Sequence, residues 1–122
     1  MKITRFEDLE CWQQAVDLAV EIYRESGAGE LGRDFGIRDQ LRRAAVSISS
    51  NIAEGKERET VAEFIRFLYI AKGSAGELCT QLIIAGRVGY IQQETFDKLY
   101  SQAKKIGGMI GSLIRTLKQK RA

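Results

Sequence analysis

Leu41 to Gly55 reads LRRAAVSISSNIAEG and carries two parallel stripes at helical spacing. Ile37, Leu41, Ala45, Ile48 and Ile52 recur at steps of three and four, which places them on one apolar helix face. Gln40, Ala44, Ser47, Asn51 and Glu54 recur at the same steps immediately beside them. A solvent flank is usually rich in Lys and Glu. This one is small and polar, which suits close helix approach with side-chain hydrogen bonds. The spacing predicts a helix over 35–54, with Gly55 as the left-handed residue that ends it.

The chain on either side repeats the pattern. Leu9, Trp12, Val16, Ala19 and Tyr23 form an apolar stripe, widened by Ala15, Leu18 and Ile22, that predicts a helix over 8–26. Thr4 with Glu7, or Asp8 alone, is the candidate cap at its start. GAGELGRDFG at Gly27–Gly36 holds four glycines and reads as the longest loop, anchored to the core by Phe35. Thr60 with Glu63 forms a capping box that opens a helix over 61–88, ended by Gly89. Its core face is Phe64, Leu68, Ala71, Ala75, Leu78, Leu82 and Ala85, and Ile70, Ser74, Glu77, Gln81 and Ile84 flank it. The last helix, over 93–118, carries Phe96, Leu99, Ala103, Ile106, Ile110, Leu113 and Leu117. That seven-residue repeat packs at a shallow angle.

Four helices with mostly short connections predict one all-α domain over 1–122, an antiparallel up-down-up-down four-helix bundle. Counting outward from the second turn sets Ser47 level with Leu68 and Ala44 level with Ala71. Glu77 then falls within reach of Arg38 or Arg42. A length of 122 residues is enough for a core without disulfides or metal. Cys11 and Cys79 match no metal spacing and read as reduced core thiols of a cytoplasmic protein. No signal peptide or membrane span is expected. No proline interrupts the chain.

Histidine is absent, which excludes Ser-His-Asp and Cys-His catalysis, Glu-x-x-His di-iron centres and His-ligated haem. No G-x-x-x-x-G-K phosphate loop is present either. The expectation is a non-enzyme with no catalytic residue, no cofactor, no metal and no small-molecule substrate.

Net charge is +3 but uneven. Lys98, Lys104, Lys105, Arg115, Lys118, Lys120 and Arg121 follow the last acidic residue, Asp97. Between Glu7 and Glu25, six acidic residues meet only Arg24. The basic end suggests phosphate neutralisation, so RNA or DNA is a candidate partner. Lys104, Lys105, Arg115, Lys118, Lys120 and Arg121 are the primary candidates, with Arg42 and Arg43 second. Tyr69, Tyr90 and Tyr100 offer faces on which bases stack. The competing reading is that the acidic first helix and the basic last helix, as bundle neighbours, complement each other. A protein–protein scaffold that binds no nucleic acid is the alternative function.

Six glycines fall inside predicted helices: Gly73, Gly76, Gly86, Gly107, Gly108 and Gly111. Together they cost about 5 kcal/mol against alanine. Close packing inside one bundle, or close approach between subunits, would compensate. Ser47, Asn51 and Glu54 with Ser74, Glu77 and Gln81 read as a hydrogen-bonded network at a helix or subunit interface rather than a binding site.

QLRRAAVSISSNIAEG at Gln40–Gly55 and FIRFLYIAKGSAGELCTQLIIAGRVGYI at Phe64–Ile91 resemble the 23S rRNA intervening-sequence protein family. FEDL at Phe6–Leu9, Trp12, Phe96 and Leu99 fit as well. The paired motifs are S-I-x-x-N-I-A-E-G and I-A-x-G-S-x-x-E-L. The resemblance covers nearly the whole chain. The loop Gly27–Gly36 departs from it, being glycine-rich where the family often has proline. The resemblance implies a small four-helix bundle assembling as a ring-like homo-oligomer, a pentamer, with no known enzymatic activity. A related bundle, the accessory protein of diversity-generating retroelements, is also similar and works with nucleic acid and a reverse transcriptase. By position, Arg43, Ser47, Asn51, Glu54, Gly73, Ser74 and Glu77 match the family pattern, which gives them no proven chemical role.

Overall fold

The computed structural model describes residues 5–121, apart from the Arg121 side chain. A 3-10 turn at Phe6–Asp8 leads into α1 (Glu10–Ser26), followed by α2 (Gly29–Arg33), α3 (Phe35–Glu57), α4 (Val61–Arg87) and α5 (Gln93–Arg121). No strand occurs among the described residues. The four long helices pack as a bundle. The α3–α4 and α4–α5 pairs are the most extensive, α1 lies against α3, and α1 meets α5 more sparsely.

The helix ends follow local chemistry. The Thr60 hydroxyl accepts from the Glu63 backbone N–H at 3.1 Å, as the capping box predicts. The Asp34 carboxylate accepts from the Ile37 N–H at 3.4 Å and starts α3. α4 ends at Gly89, where φ is +86°. There the Tyr90 N–H returns to the Ala85 carbonyl at 2.9 Å and the Gly89 N–H to Gly86 at 3.2 Å, the paired bonds of a Schellman cap. α1 starts differently from expectation. Thr4 lies outside the described residues, and Asp8 does not cap: the residue before α1 is Leu9, with no side-chain bond. Instead the 3-10 turn seats Phe6 edge-on against Trp12 at 5.2 Å.

Apart from Ile37, which is partly covered, the expected core faces of α3 and α4 are buried, as are Leu99, Ala103, Ile106 and Ile110 on α5. Each such Leu or Ile contributes about 1.5–3 kcal/mol through removal from water. Of the stripe expected on the first helix, Leu9 and Ala19 are buried, but the face of α1 is centred on the residues expected to widen it. Cys11, Ala15, Leu18 and Ile22 are fully covered, while Tyr23 is exposed. Small residues at 11 and 15 allow closer approach than an aromatic stripe would. The Tyr23 ring serves instead as a platform for Arg42, whose guanidinium lies 4.5 Å from its centroid.

Three other expectations are corrected. The segment Gly27–Gly36 is not an open loop: it contains α2, and its anchor is Leu31 at 2% exposure. Phe35, at 62% exposure, is not an anchor and stacks instead against Arg38 at 4.4 Å. Gly55 does not terminate α3. It stays helical while α3 runs on to Glu57, and Arg58 turns to an extended conformation. An added Cβ at Gly55 would stand 2.7 Å from the Phe67 Cβ, so the residue marks the close approach of α3 and α4.

That longer helix changes the pairing. Ser47 Oγ lies 2.8 Å from Ser74 Oγ, not opposite Leu68, and Gln81 Nε2 donates to Gln40 Oε1 at 3.4 Å. Glu77 is accordingly not beside Arg38 or Arg42. Arg38 bonds Asp39 and the Gly32 carbonyl, and Arg42 bonds α1. Both cysteines are free and buried. Burial pushes the Cys11 thiol up to about 11, so it is protonated and unreactive at neutral pH. Among the described residues no helix is long and apolar enough to cross a membrane.

Candidate nucleic-acid interface

α4 has a second flank, opposite the polar one. Lys72, Gly76, Thr80, Ile83 and Arg87 recur at steps of three and four and border α5. Facing them are Tyr100, Lys104, Gly107 and Gly108. An added Cβ at Gly76 or Gly108 would meet nothing within 4 Å, and at Gly107 only the Ala75 methyl at 3.8 Å. The missing side chains leave a groove of about 550 Å³. Its floor includes Ala75, Cys79 and Ala103, all buried. Burial holds the Cys79 thiol above its ordinary range, with the Lys104 charge pulling weakly the other way. The Thr80 hydroxyl is turned inward to the Gly76 carbonyl at 3.1 Å.

A second basin, also about 550 Å³, continues past Ile83 and Tyr100, which border both. Gly86, Arg87, Gln93 and Phe96 line it. Phe96, in the second basin, stacks on Tyr100 at 5.2 Å and 23°, backing the wall that Tyr100 shares with the first. Lys104 Nζ stands 5.9 Å from the Tyr100 ring centroid. Toward the other end, Gly111 sits between the Lys72 stem and the Arg115 guanidinium. Beyond it Lys118 donates to the Tyr69 hydroxyl at 2.7 Å and lies 5.0 Å from that ring.

The electrostatics are one-sided. Among the described residues no Asp or Glu lines either basin. Lys72, Arg87, Lys104, Arg115 and Lys118 make no ion pair among the described residues. Complementarity between the acidic α1 and the basic α5 accounts for little of this. The two helices share one ion pair among the described residues, Lys98 to Glu21 at 3.8 Å.

Of the residues singled out by charge, Lys104 lines the groove, and Arg115 and Lys118 extend its line. Lys105 and Lys120 are exposed on α5 outside the basins, and the Arg121 side chain is outside the described part. Arg42 is occupied, its Nε donating to Ser26 Oγ at 2.8 Å and its Nη2 to the Tyr23 carbonyl at 3.3 Å. Arg43 lies on the other side of α4, in a shallow cleft with Gln40, Ser47, Glu77 and Gln81. Tyr90 is held by Asp34, to which its hydroxyl donates at 2.8 Å. Lys72 and Arg87 are additions that charge counting at the C-terminus does not reach; their signal is the stripe at 72, 76, 80, 83 and 87.

The family-pattern residues gather at the α3–α4 seam. Asn51 donates to the Ser47 carbonyl and hydroxyl at 2.9 and 3.0 Å, and Ser47 meets Ser74. Glu54 accepts from Arg58 at 3.3 Å. Arg43 and Glu77 make no ion pair among the described residues, and an added Cβ at Gly73 would meet nothing within 4 Å.

Compared with known proteins, residues 7–112 match the model of the 23S rRNA-intervening sequence protein family. Among solved structures, the chain is similar to a protein of unknown function from the S23 ribosomal protein family of Bacteroides thetaiotaomicron. The two are 25% identical, with a TM-score of 0.81, over 86% of this chain and 95% of that one. No curated protein matches the chain.

Proposed function

We propose, because the chain belongs to the 23S rRNA-intervening sequence protein family, that it is a non-enzymatic bundle whose α4–α5 groove binds nucleic-acid backbone without sequence preference. The observation that carries this reading is the acid-free groove lined by Lys72, Lys104 and Arg87 with Tyr100 among them, continued past Gly111 by Arg115 and by Lys118 on Tyr69. Five cations along one line with no ion pair among the described residues are costly in self-repulsion and useful against phosphates. Lys105, Lys120 and Arg121 add to the field. In this reading the protein is cytoplasmic and its four long helices run up-down-up-down. The Ser47–Ser74 and Gln40–Gln81 bonds, whose members advance in opposite directions along α3 and α4, support that topology.

The chain works as a homo-oligomer, a ring of five in this reading. Support comes from the α3–α4 face, where Ile70 and Ile84 are exposed, Gly73 is uncovered and Arg43 and Glu77 await partners. Assembly multiplies weak phosphate contacts without new chemistry. Light scattering at micromolar concentration is expected to give a closed oligomer mass; a monomer mass overturns this part.

Binding is tested by anisotropy with structured RNA at low and moderate salt. Affinity is expected to fall steeply as salt rises, because counterion release drives it. Replacing Lys72 and Lys104 by alanine is expected to reduce the log–log salt slope by about 1 to 2 and to weaken binding roughly equally across sequences. Absence of binding at low salt by the intact assembly removes the reading and leaves a protein–protein scaffold centred on the α3–α4 face.

A further inference from the structure

The α4–α5 groove is concave, and its chemistry is split between rim and floor. Lys72, Lys104 and Arg87 stand at the rim, while Ala75, Cys79 and Ala103 form an uncharged floor. We propose that the groove takes single-stranded nucleic acid in preference to duplex, with a base lodged in each basin and the phosphates on the rim. This rests on the nucleic-acid reading above and narrows it to one substrate class.

Three observations carry it. The first is shape. The missing side chains at Gly76, Gly107 and Gly108 open a depression of about 550 Å³ between α4 and α5, room enough for a base. A duplex is convex, shows its phosphates outside and keeps its bases paired and stacked within, so it presents no base face to a recess. Between its rim cations this surface is sunken, because Gly76, Gly107 and Gly108 have no side chains to fill it. A duplex could touch the rim cations only, leaving the apolar floor unused.

The second is the aromatic wall. Tyr100 borders both basins and is held flat by Phe96 at 5.2 Å. A positively charged groove with aromatic faces at intervals is the arrangement that holds unpaired bases, since every base has a π-face. The third is reach. Tyr69 to Arg87 spans 18 residues of α4, or about 27 Å at 1.5 Å per residue. That is about eight nucleotides at the 3.4 Å spacing of one stacked strand, enough to engage all five cations.

The test uses the full chain and a fluorescent oligouridylate of about 12 nucleotides, alongside a duplex RNA of equal length at the same salt. The single strand is expected to bind at least 10-fold more tightly. Gly76→Leu and Gly108→Leu start side chains where an added Cβ meets nothing within 4 Å, and circular dichroism is expected to show both variants as helical as the parent. Each is expected to cut single-strand affinity about 10-fold and so to bring it close to that for duplex. Tyr100→Leu, which keeps an apolar contact with Phe96 but loses the ring face, is expected to lose about 10-fold as well.

Equal or tighter duplex binding, or unaltered single-strand binding by the glycine variants, overturns the preference while the phosphate-binding reading stands. Failure of both probes at low salt overturns both. If the glycine variants instead change the assembly mass, the groove is filled by a second copy, and the proposal is overturned in that direction.

Discussion

Replacing Gly55 with alanine is expected to destabilise the protein, although alanine is the better helix former by about 1 kcal/mol. The geometry reverses the sign. The new Cβ would stand 2.7 Å from Phe67 Cβ, 3.1 Å from Phe64 Cδ1 and 3.2 Å from the Phe64 carbonyl. A Cβ is fixed by its backbone, so no rotamer change relieves the first contact. α3 and α4 must separate, along the most extensive packing in the bundle. Overpacking of this kind costs about 1–3 kcal/mol, and Gly55→Val should sit at or beyond the upper end. Gly76→Ala is the control: the same chemistry on α4, away from the α3–α4 face, with nothing within 4 Å. It should raise stability by about 1 kcal/mol. Thermal melts at fixed protein concentration decide it, with opposite shifts of a few degrees per kcal/mol. A stabilised Gly55→Ala protein would show that the close approach is not real.

Leu78→Ala should cost about 3–4 kcal/mol, the usual loss for deleting a fully buried leucine and leaving part of its volume empty. Leu78 has no exposed surface and sits on α4, the helix packed on one side by α3 and on the other by α5. Neighbours fixed on two sides collapse poorly into a void, which places the site toward the expensive end. Against a total stability of about 5–15 kcal/mol this is a large share. With a urea slope of about 2 kcal/mol per M, the unfolding midpoint should move down by about 1.5–2 M. Leu117→Ala, at a partly buried position on α5, should move it by less than half as much. Equal shifts for the two would mean that α4 is not the centre of the core.

The core of α3, α4 and most of α5 was legible in the sequence because helical periodicity and burial are the same fact seen twice. Ile48, Ile52, Leu68 and Leu82 are apolar at steps of three and four, and each is buried. α1 was less legible: Tyr23 is apolar enough to extend a stripe, yet its ring faces water beneath Arg42. Gly55 was ambiguous because glycine near a helix end has two uses, a left-handed cap or a close contact, and the distinction lies in the neighbouring helix. In GAGELGRDFG the glycines outweighed the one residue that mattered, Leu31. The groove was half legible. Lys104, Arg115 and Lys118 stand out by charge, whereas Lys72 and Arg87 are solitary bases on an apolar helix. They acquire meaning only when α5 supplies the facing glycines.

The sparse α1–α5 seam bears on how the chain finds its fold. The extensive contacts join helices that follow one another, α3 to α4 through three residues and α4 to α5 through five. Such a wiring has low contact order, so the conformational search is mostly local and fast. Among the long-helix pairs the α1–α5 seam joins the most distant parts of the chain, as in the Lys98–Glu21 pair, and closure entropy rises with the length of the loop so closed. That cost falls on the interface with the least packing to repay it. The bundle therefore has a built-in order of strength: a sequence-local core that holds itself, and one seam that opens first.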